Sequence, residues 1–473
     1  MTMTTTLAPL RPWLTGGVLA LFAFGGCWIG ALMYWRARTG DPGTGEMLFY
    51  LLVLPAALLG AALVTRKRLA DVPRAPANAP AQATQAVQTA PPAAAVVPLA
   101  MLATAVRSPH GTSVEEIADA VAGNQARPTL DATLVDDDSF PLMTARCVDV
   151  DDPAVSADIA AWLTANALPA QFSDEAARAL LLATQVAAEL AGKAMAALAA
   201  EDGNVPMLQL APVLPHAWDA GQRQAAAQWL QHTVAQSGWP VERTALVAPI
   251  EADMVDTVPA ALLTQLATHV PGTPVTAMLI ACASHIGDAT VQDWTASGAL
   301  FTPGCPHGKI PGEGAVGLLL TDIVQATASE SSVFAVMEPV ASARLARSAD
   351  EHRGEPQPVL ADLSQGALAS AQSEAGALAM IVADTGPGNG RMLELMGYVG
   401  KAAPQLDNEK DVIAFGRASG ACGAVPALMS LALASHHACE RNGPVLWLAN
   451  DAPFQRCAAV LHPPQLTYGN RLD

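Results

Sequence analysis

The chain has 473 residues, 51% of them hydrophobic and 14% charged, with a formal net charge of −18. That length allows two or three ordinary domains, or one large two-lobed domain with extras. The acid excess argues against nucleic-acid binding, because duplex affinity comes mainly from Lys and Arg neutralising phosphates, and against docking of the body on anionic lipid headgroups.

The excess is unevenly spread. Residues 1–75 carry seven basic and three acidic side chains, a net of +4, which leaves −22 for the remainder. After a tail over 1–12, Trp13 to Trp35 is a 23-residue uncharged run and Met47 to Val64 an uncharged run of 18. Each matches a hydrocarbon core of about 30 Å at about 1.5 Å per residue. A cleaved signal peptide is the alternative for the first run, but its apolar part is too long and a second run follows at once. The cluster Arg66-Lys67-Arg68 follows the second run and favours the cytoplasmic side. The expectation is a transmembrane hairpin over 13–64 (spans 13–35 and 47–64) with both ends inside, in a bacterial inner membrane. Residues 65–95, rich in Pro, Ala and Gln, read as a semi-flexible tether.

The globular part runs from 96 to 465, with a tail over 466–473. Its apolar runs read as buried strands: "AVVPLAMLAT", "TALVAPI", "VTAMLIACA", "GAVGLLLTD", "VFAVME", "ALAMIVAD" and "GPVLWLAN". Between them lie helical patterns. "SVEEIADAVAGN" opens on Ser113 with Glu116 three residues on, a capping-box spacing. Ser173 to Ala200 reads as a long, deeply buried Ala/Leu helix, and "VPAALLTQLATHV" and "AVPALMSLALASHHA" as two more. Strands alternating with helices predict an α/β fold with covered sheets. Cys27 lies in the first span, while Cys147, Cys282, Cys305, Cys422, Cys439 and Cys457 are scattered without CxxC spacing and read as thiols in a reducing compartment.

Four stretches, in order, resemble the β-ketoacyl synthases of the thiolase superfamily. "VRSPHGTSVEEIADAVAGNQARP" resembles that family's opening, and "MLIACASHIGD" the strand and loop after its nucleophile helix. "HGKIPGEGAVGLLLTD" is similar to "RDGFVxGEGAGVLVLE". "IVADTGPGNGRMLEL" with "FGRASGACGAVPALMSLALA" resembles "VEAHGTGTxxGDxxE" with "KGHTLGASGA". The resemblance implies a thiolase-like fold of two related halves, placed at 96–240 and 241–465, and a possible pairing of two copies through their sheets. It also implies a reaction centre, and there the chain departs from the pattern. Asp384 and Arg417 stand where the family has its two histidines. The segment "PIEADMVDTVPA", where the nucleophile is expected, holds neither Cys nor Ser. "NDAPFQRC" stands at the glycine-rich oxyanion loop without a glycine. Thioester acyl transfer needs an activated nucleophile and donors aimed at the developing oxyanion. The sequence therefore reads as a frame without its chemistry, with Asp384 and Arg417 expected to form a buried ion pair.

The remaining candidates are weaker. Cys305, close to His307 in "TPGCPHGK", and Cys282 are the nucleophiles nearest to hand if the chain is an enzyme. Glu313, between two glycines, reads as a structural hydrogen-bonding group rather than a catalytic one. His285 and Asp288 read as polar groups at a strand end, with a ligand site as the alternative. "GPGNG" at 386–390 lacks the third glycine of a dinucleotide loop and reads as a turn into a helix. His436-His437 reads as a solvated pair, and neither a metal nor a cofactor is expected.

Taken together, the hairpin, tether and diverged body resemble the type VI secretion lipase adaptor family. That resemblance implies a non-catalytic, cytoplasmic-side adaptor that receives a lipase effector and hands it to the secretion spike. The alternatives are a diverged acyltransferase or condensing enzyme, or an inert partner subunit, in fatty acid or polyketide synthesis.

Overall fold

The structure, a computed structural model, describes residues 95–136, 139–148, 150–199, 205–247, 260–269, 273–329, 333–349 and 358–464. The expected hairpin, nearly all of the tether and the expected nucleophile segment lie outside the described residues.

In chain order come β1 (Ala95–Val96), β2 (Leu99–Arg107), α1 (Val114–Ala122), a ribbon of β3 (Thr129–Val135) and β4 (Pro141–Thr144), α2 (Pro153–Ala165) and α3 (Asp174–Leu198). β5 (Leu208–Val213), α4 (Ala220–Gln236), β6 (Thr244–Leu246), α5 (Ala260–Ala267), β7 (Thr268–His269), β8 (Thr276–Ser284), α6 (Asp288–Ala296), β9 (Glu313–Thr321) and α7 (Ile323–Ala328) follow. The remainder holds β10 (Ala335–Met337), β11 (Ala341–Arg344), α8 (Pro358–Ser370), β12 (Met380–Ala383), α9 (Asn389–Ala402), β13 (Val412–Ala414), α10 (Gly416–Ser419), α11 (Val425–Glu440), β14 (Val445–Ala449) and β15 (Gln455–His462).

Local chemistry sets the helix ends. Ser113 accepts the Glu116 N–H at 3.2 Å and starts α1, but the Glu116 carboxylate turns to the Thr112 N–H at 2.7 Å, so only half of a capping box forms. Ser173 does the same for α3 through the Ala176 N–H at 3.3 Å. Among the described residues α3 is the one helix long and apolar enough to cross a membrane. It is a core helix: Leu182, Val186 and Leu190 are buried against β2, β8 and β9.

Ten strands form one continuous sheet in the order β13-β12-β14-β15-β10-β2-β9-β8-β5-β6, with β11 added on β15. Numbered by chain order within each half, both halves have the sequence third, second, fourth, fifth, first. Pairing directions repeat as well: β5 runs parallel to β6 and β8, β12 to β13 and β14, and β9 and β15 are antiparallel to both neighbours. The halves join through the antiparallel pair of β2 and β10, with Leu99 opposite Met337. This topology moves the boundary between the halves. The sequence reading put it at 240/241, but β6, β8 and β9 complete the first sheet, so the change falls between Thr321 and Ala335.

The strands are apolar on both faces because helices cover both. Ala277, Leu279 and Ala281 of β8 share a cluster with α5 and α11, while Met278 and Ile280 face α3. In the second half, Val382 and Trp447 belong to that same α5/α11 cluster, and Ile381 and Leu446 to a further one with α8 and α9. Helix α11 is thus sandwiched between the two halves of the sheet.

Candidate functional site

The four motif segments meet where β8, β12, β13 and β14 reach their carboxyl ends, the usual place for a ligand site in an α/β sheet. The Ala421 N–H donates to the Ile310 carbonyl at 2.8 Å, and the Phe415 N–H to that of Ala383 at 2.8 Å. His285 Nδ1 meets the Ala421 carbonyl at 2.8 Å and His110 Nε2 that of Ala418 at 2.9 Å. Such close backbone approach explains the motif glycines. A Cβ on Gly416 would collide with the Asp384 carbonyl oxygen, and one on Gly312 with that of Ser419. Gly416→Ala is therefore expected to lower stability by about 1–3 kcal/mol through overpacking, measured as a shift in the urea midpoint at unchanged slope.

Asp384 follows β12 and is 3% exposed. One of its oxygens accepts the backbone N–H groups of Asn450 at 2.7 Å and Asp451 at 3.1 Å. Burial, and then the nearby Asp451 carboxylate, push its pKa up to about 7, against the pull of those two N–H donors and of Arg456. Around it Thr385 donates to the Asn450 side-chain oxygen at 2.6 Å, and Asn450 Nδ2 to the Arg391 carbonyl at 3.1 Å. Arg456, fully buried, pairs with Glu394 at 3.0 Å and holds the carbonyl of Ala452 at 2.5 Å and that of Gln455 at 2.7 Å. The segment that stands for the glycine-rich oxyanion loop is thus fastened by a side chain, Arg456, and by the Asp384 carboxyl.

The expected Asp384–Arg417 ion pair is not formed. Arg417 lies in α10, whose short turn carries its side chain outward to solvent, and among the described residues no ion pair joins the two. A guanidinium that reaches water has no need of a buried partner, and the backbone N–H groups of 450 and 451 satisfy Asp384 instead. At the two positions where the resemblance implies histidines, one side chain is thus buried and hydrogen-bonded to backbone, and the other is exposed.

Glu313 sits at the start of β9 with its side chain fully buried. Its carboxylate accepts from Arg178 Nη2 at 2.7 Å and Nε at 3.0 Å, from the Cys147 N–H at 3.0 Å and from Ser284 Oγ at 2.9 Å. Arg178 also reaches Asp151 at 2.8 Å. Every contact ties one element to another, which is the geometry of a structural hub. His285 is half-buried against the Trp294 ring, 5.2 Å between centroids, and burial lowers its pKa. Asp288 opens α6.

The cysteines offer little chemistry. Burial alone pushes the Cys282 thiol up to about 12, and burial raises Cys147, Cys422 and Cys457 as well. A thiol so shifted is not a thiolate at neutral pH. Cys305 lies in a partly exposed turn with its sulfur 3.5 Å from the Gly298 carbonyl, and among the described residues no hydrogen bond joins it to His307. An alkylating probe on the native protein is expected to label Cys305 first and to reach Cys147, Cys282, Cys422 and Cys457 only on unfolding. Peptide mass spectrometry over time measures this, and early labelling of Cys282 would contradict it.

Some of the pattern was outside the reach of sequence reasoning. Arg178, Asn450, Glu394 and Arg456 were not singled out, because their partners lie far away in the chain; the one available signal was an arginine in an otherwise apolar strand-like run, "FQRCAAVLH". His436-His437 is not a solvated pair: His437 is 7% exposed, and the two rings meet edge to face at 5.2 Å.

No family model matches the chain, and no curated protein matches it. Solved structures do. The oxazolomycin ketosynthase domain of Streptomyces albus JA3453 is 11% identical, with a TM-score of 0.53, over 78% of this chain and 74% of that one. A type II polyketide ketosynthase, solved in complex with its acyl-carrier protein and bound to the hexaketide, is 12% identical with a TM-score of 0.53, over 78% of this chain and all of that one (100%). The module 6 ketosynthase of the bacillaene synthase from Bacillus subtilis 168 gives 12% identity and a TM-score of 0.51, over 78% and 70%. At these identities the likeness establishes the fold: a thiolase-like α/β body of the ketosynthase type.

Proposed function

We propose that the chain is a catalytically silent protein of ketosynthase fold that works by binding another protein, as the inert partner in acyl-carrier-dependent lipid or polyketide assembly. One observation carries the loss of chemistry: Asp384 is buried and bonded to backbone N–H groups, and Arg417 faces solvent. Neither is a donor aimed at a reacting thioester, and Asp384, when ionised, puts negative charge where charge would have to develop. Protein binding is supported by the ribbon of β3 and β4. Leu130, Val135, Phe140 and the nearby Val148 are all exposed there, at 43% to 78%, and apolar residues so grouped suit a partner surface. The solved ketosynthase bound to its carrier protein supplies the setting.

A second reading shares the same silent centre. The two uncharged runs over 13–35 and 47–64 favour an inner-membrane adaptor, its body on the cytoplasmic side, that receives a lipase effector for a secretion spike. Cross-linked capture of the tagged full-length protein from its own membrane, followed by mass spectrometry, separates the two. A carrier protein or an active ketosynthase in near-stoichiometric amount supports the first, and a lipase-like effector or spike component the second. Malonyl decarboxylation or thioester condensation by the purified protein overturns both.

A further inference from the structure

The last turn of α11 brings together two imidazoles and a carboxylate far from the vestigial reaction centre. His436, His437 and Glu440 each offer a ligand atom, all within 4.8 Å of one another. The spacing explains how adjacent histidines can share a target. Glu440 is three residues beyond one and four beyond the other, so on a helix surface it neighbours both. Its carboxylate oxygen lies 2.9 Å from His437 Nδ1 and 3.9 Å from His436 Nε2. Ligands about 2.0–2.2 Å from a tetrahedral metal stand roughly 3.4 Å apart, and the two observed separations bracket that value.

Three further features fit. The other nitrogen of His436, Nδ1, faces Glu115 of α1 at 3.7 Å. That is an ion-pair distance longer than a hydrogen bond, and closing it would give the carboxylate–imidazole contact that orients a metal-bound histidine. The position is also the carboxyl end of a 16-residue helix, where the backbone dipole favours positive charge. Finally, His437 is 7% exposed, so the ring that presents Nδ1 to Glu440 has little room to turn.

We infer that His436, His437 and Glu440 form a binding site for a divalent transition metal of the zinc class, with Glu115 orienting His436 and the remaining position left to solvent. Imidazole and carboxylate donors without a thiolate suit Zn(II), Co(II) or Ni(II) rather than Ca(II). A bound ion fastens the end of α11, the helix shared by both sheet halves, to α1.

The test uses the purified full-length chain in detergent, carrying no polyhistidine tag and stripped of metal. Titration with Co(II), read by its visible absorption, and then displacement by Zn(II) is expected to give one equivalent and a raised melting temperature. His436→Ala and Glu440→Ala, both on accessible side chains, are expected to fold as the wild type by circular dichroism and to lose that equivalent. Glu115→Gln should weaken it by about 10–100-fold. Cys439→Ser should leave it unchanged. No bound equivalent in the wild type, undiminished binding in His436→Ala and Glu440→Ala, or loss of binding in Cys439→Ser alone would each overturn the proposal.

Discussion

Arg178→Ala is expected to remove about 3–5 kcal/mol of folding stability, because it leaves a buried carboxylate charged and unpaired. The side chain of Glu313 has no solvent exposure and that of Arg178 only 12%, so water cannot take over the missing contact. The pair also organises its surroundings. Glu313 binds the Cys147 N–H and Ser284 at the end of β8, so its displacement loosens two chain crossings at once. Two controls make the test specific. Asp151→Ala removes the other partner of Arg178, but that carboxylate is 79% exposed, and the loss should stay within about 1 kcal/mol. Glu313→Gln keeps the shape and an acceptor for the backbone N–H, and should fall between the two. Urea unfolding of the three variants settles the order, and equal losses for Arg178→Ala and Asp151→Ala would sink the account.

The second large effect is a pH dependence centred on Asp384. A carboxyl with a folded pKa near 7, against about 3.9 unfolded, holds its proton more tightly in the native state. Its stabilising contribution is complete below the unfolded value and is lost as pH rises through the folded one. The wild type should therefore lose stability between about pH 4 and pH 8. Asp384→Asn resembles the neutral acid in shape, and its oxygen can still accept from the N–H groups of 450 and 451. It should flatten that slope and be the more stable protein by about 1–3 kcal/mol at the alkaline end. Parallel slopes for the two proteins would show that another group titrates. Burial sets the direction, and the nearby carboxylate of the rim residue Asp451 adds to it against the two N–H donors and Arg456.

How much of this the sequence carried depends on range. The runs that became β2, β8, β9, β12 and β14 were legible because both faces are covered, which leaves continuous apolar stretches. Their order matched a known pattern. β5 and β15 escaped notice because Gln209, Pro212 and Arg456 interrupt their apolar character. The resemblance sets Asp384 and Arg417 at the family's histidine positions, but it says nothing of what surrounds them. A register alignment says which residue stands at 417, whereas only the turn of α10 says that its side chain leaves the protein. The Glu313 hub was anticipated in kind, as a structural group, yet its partner Arg178 lies on α3 and nothing local announces it. The pair His436-His437 was misjudged for a simpler reason. Neighbours on a helix point about 100° apart, but a bulky core can bury one of them while the other stays near the rim.

The repeated strand order has a consequence for evolution and for engineering. Two halves with one topology suggest two separable modules, and a cut between Ala328 and Ala335 would give each fragment a complete five-stranded sheet. Helix α11, however, belongs to the second half and packs against the first, where Leu279, Val316 and Leu318 depend on it for cover. The first fragment alone would present that row of residues to water, and the second would carry a helix with one side bare. The duplication is therefore one of pattern and not of autonomy. Fragments of this chain should complement one another when made together and fail when made apart.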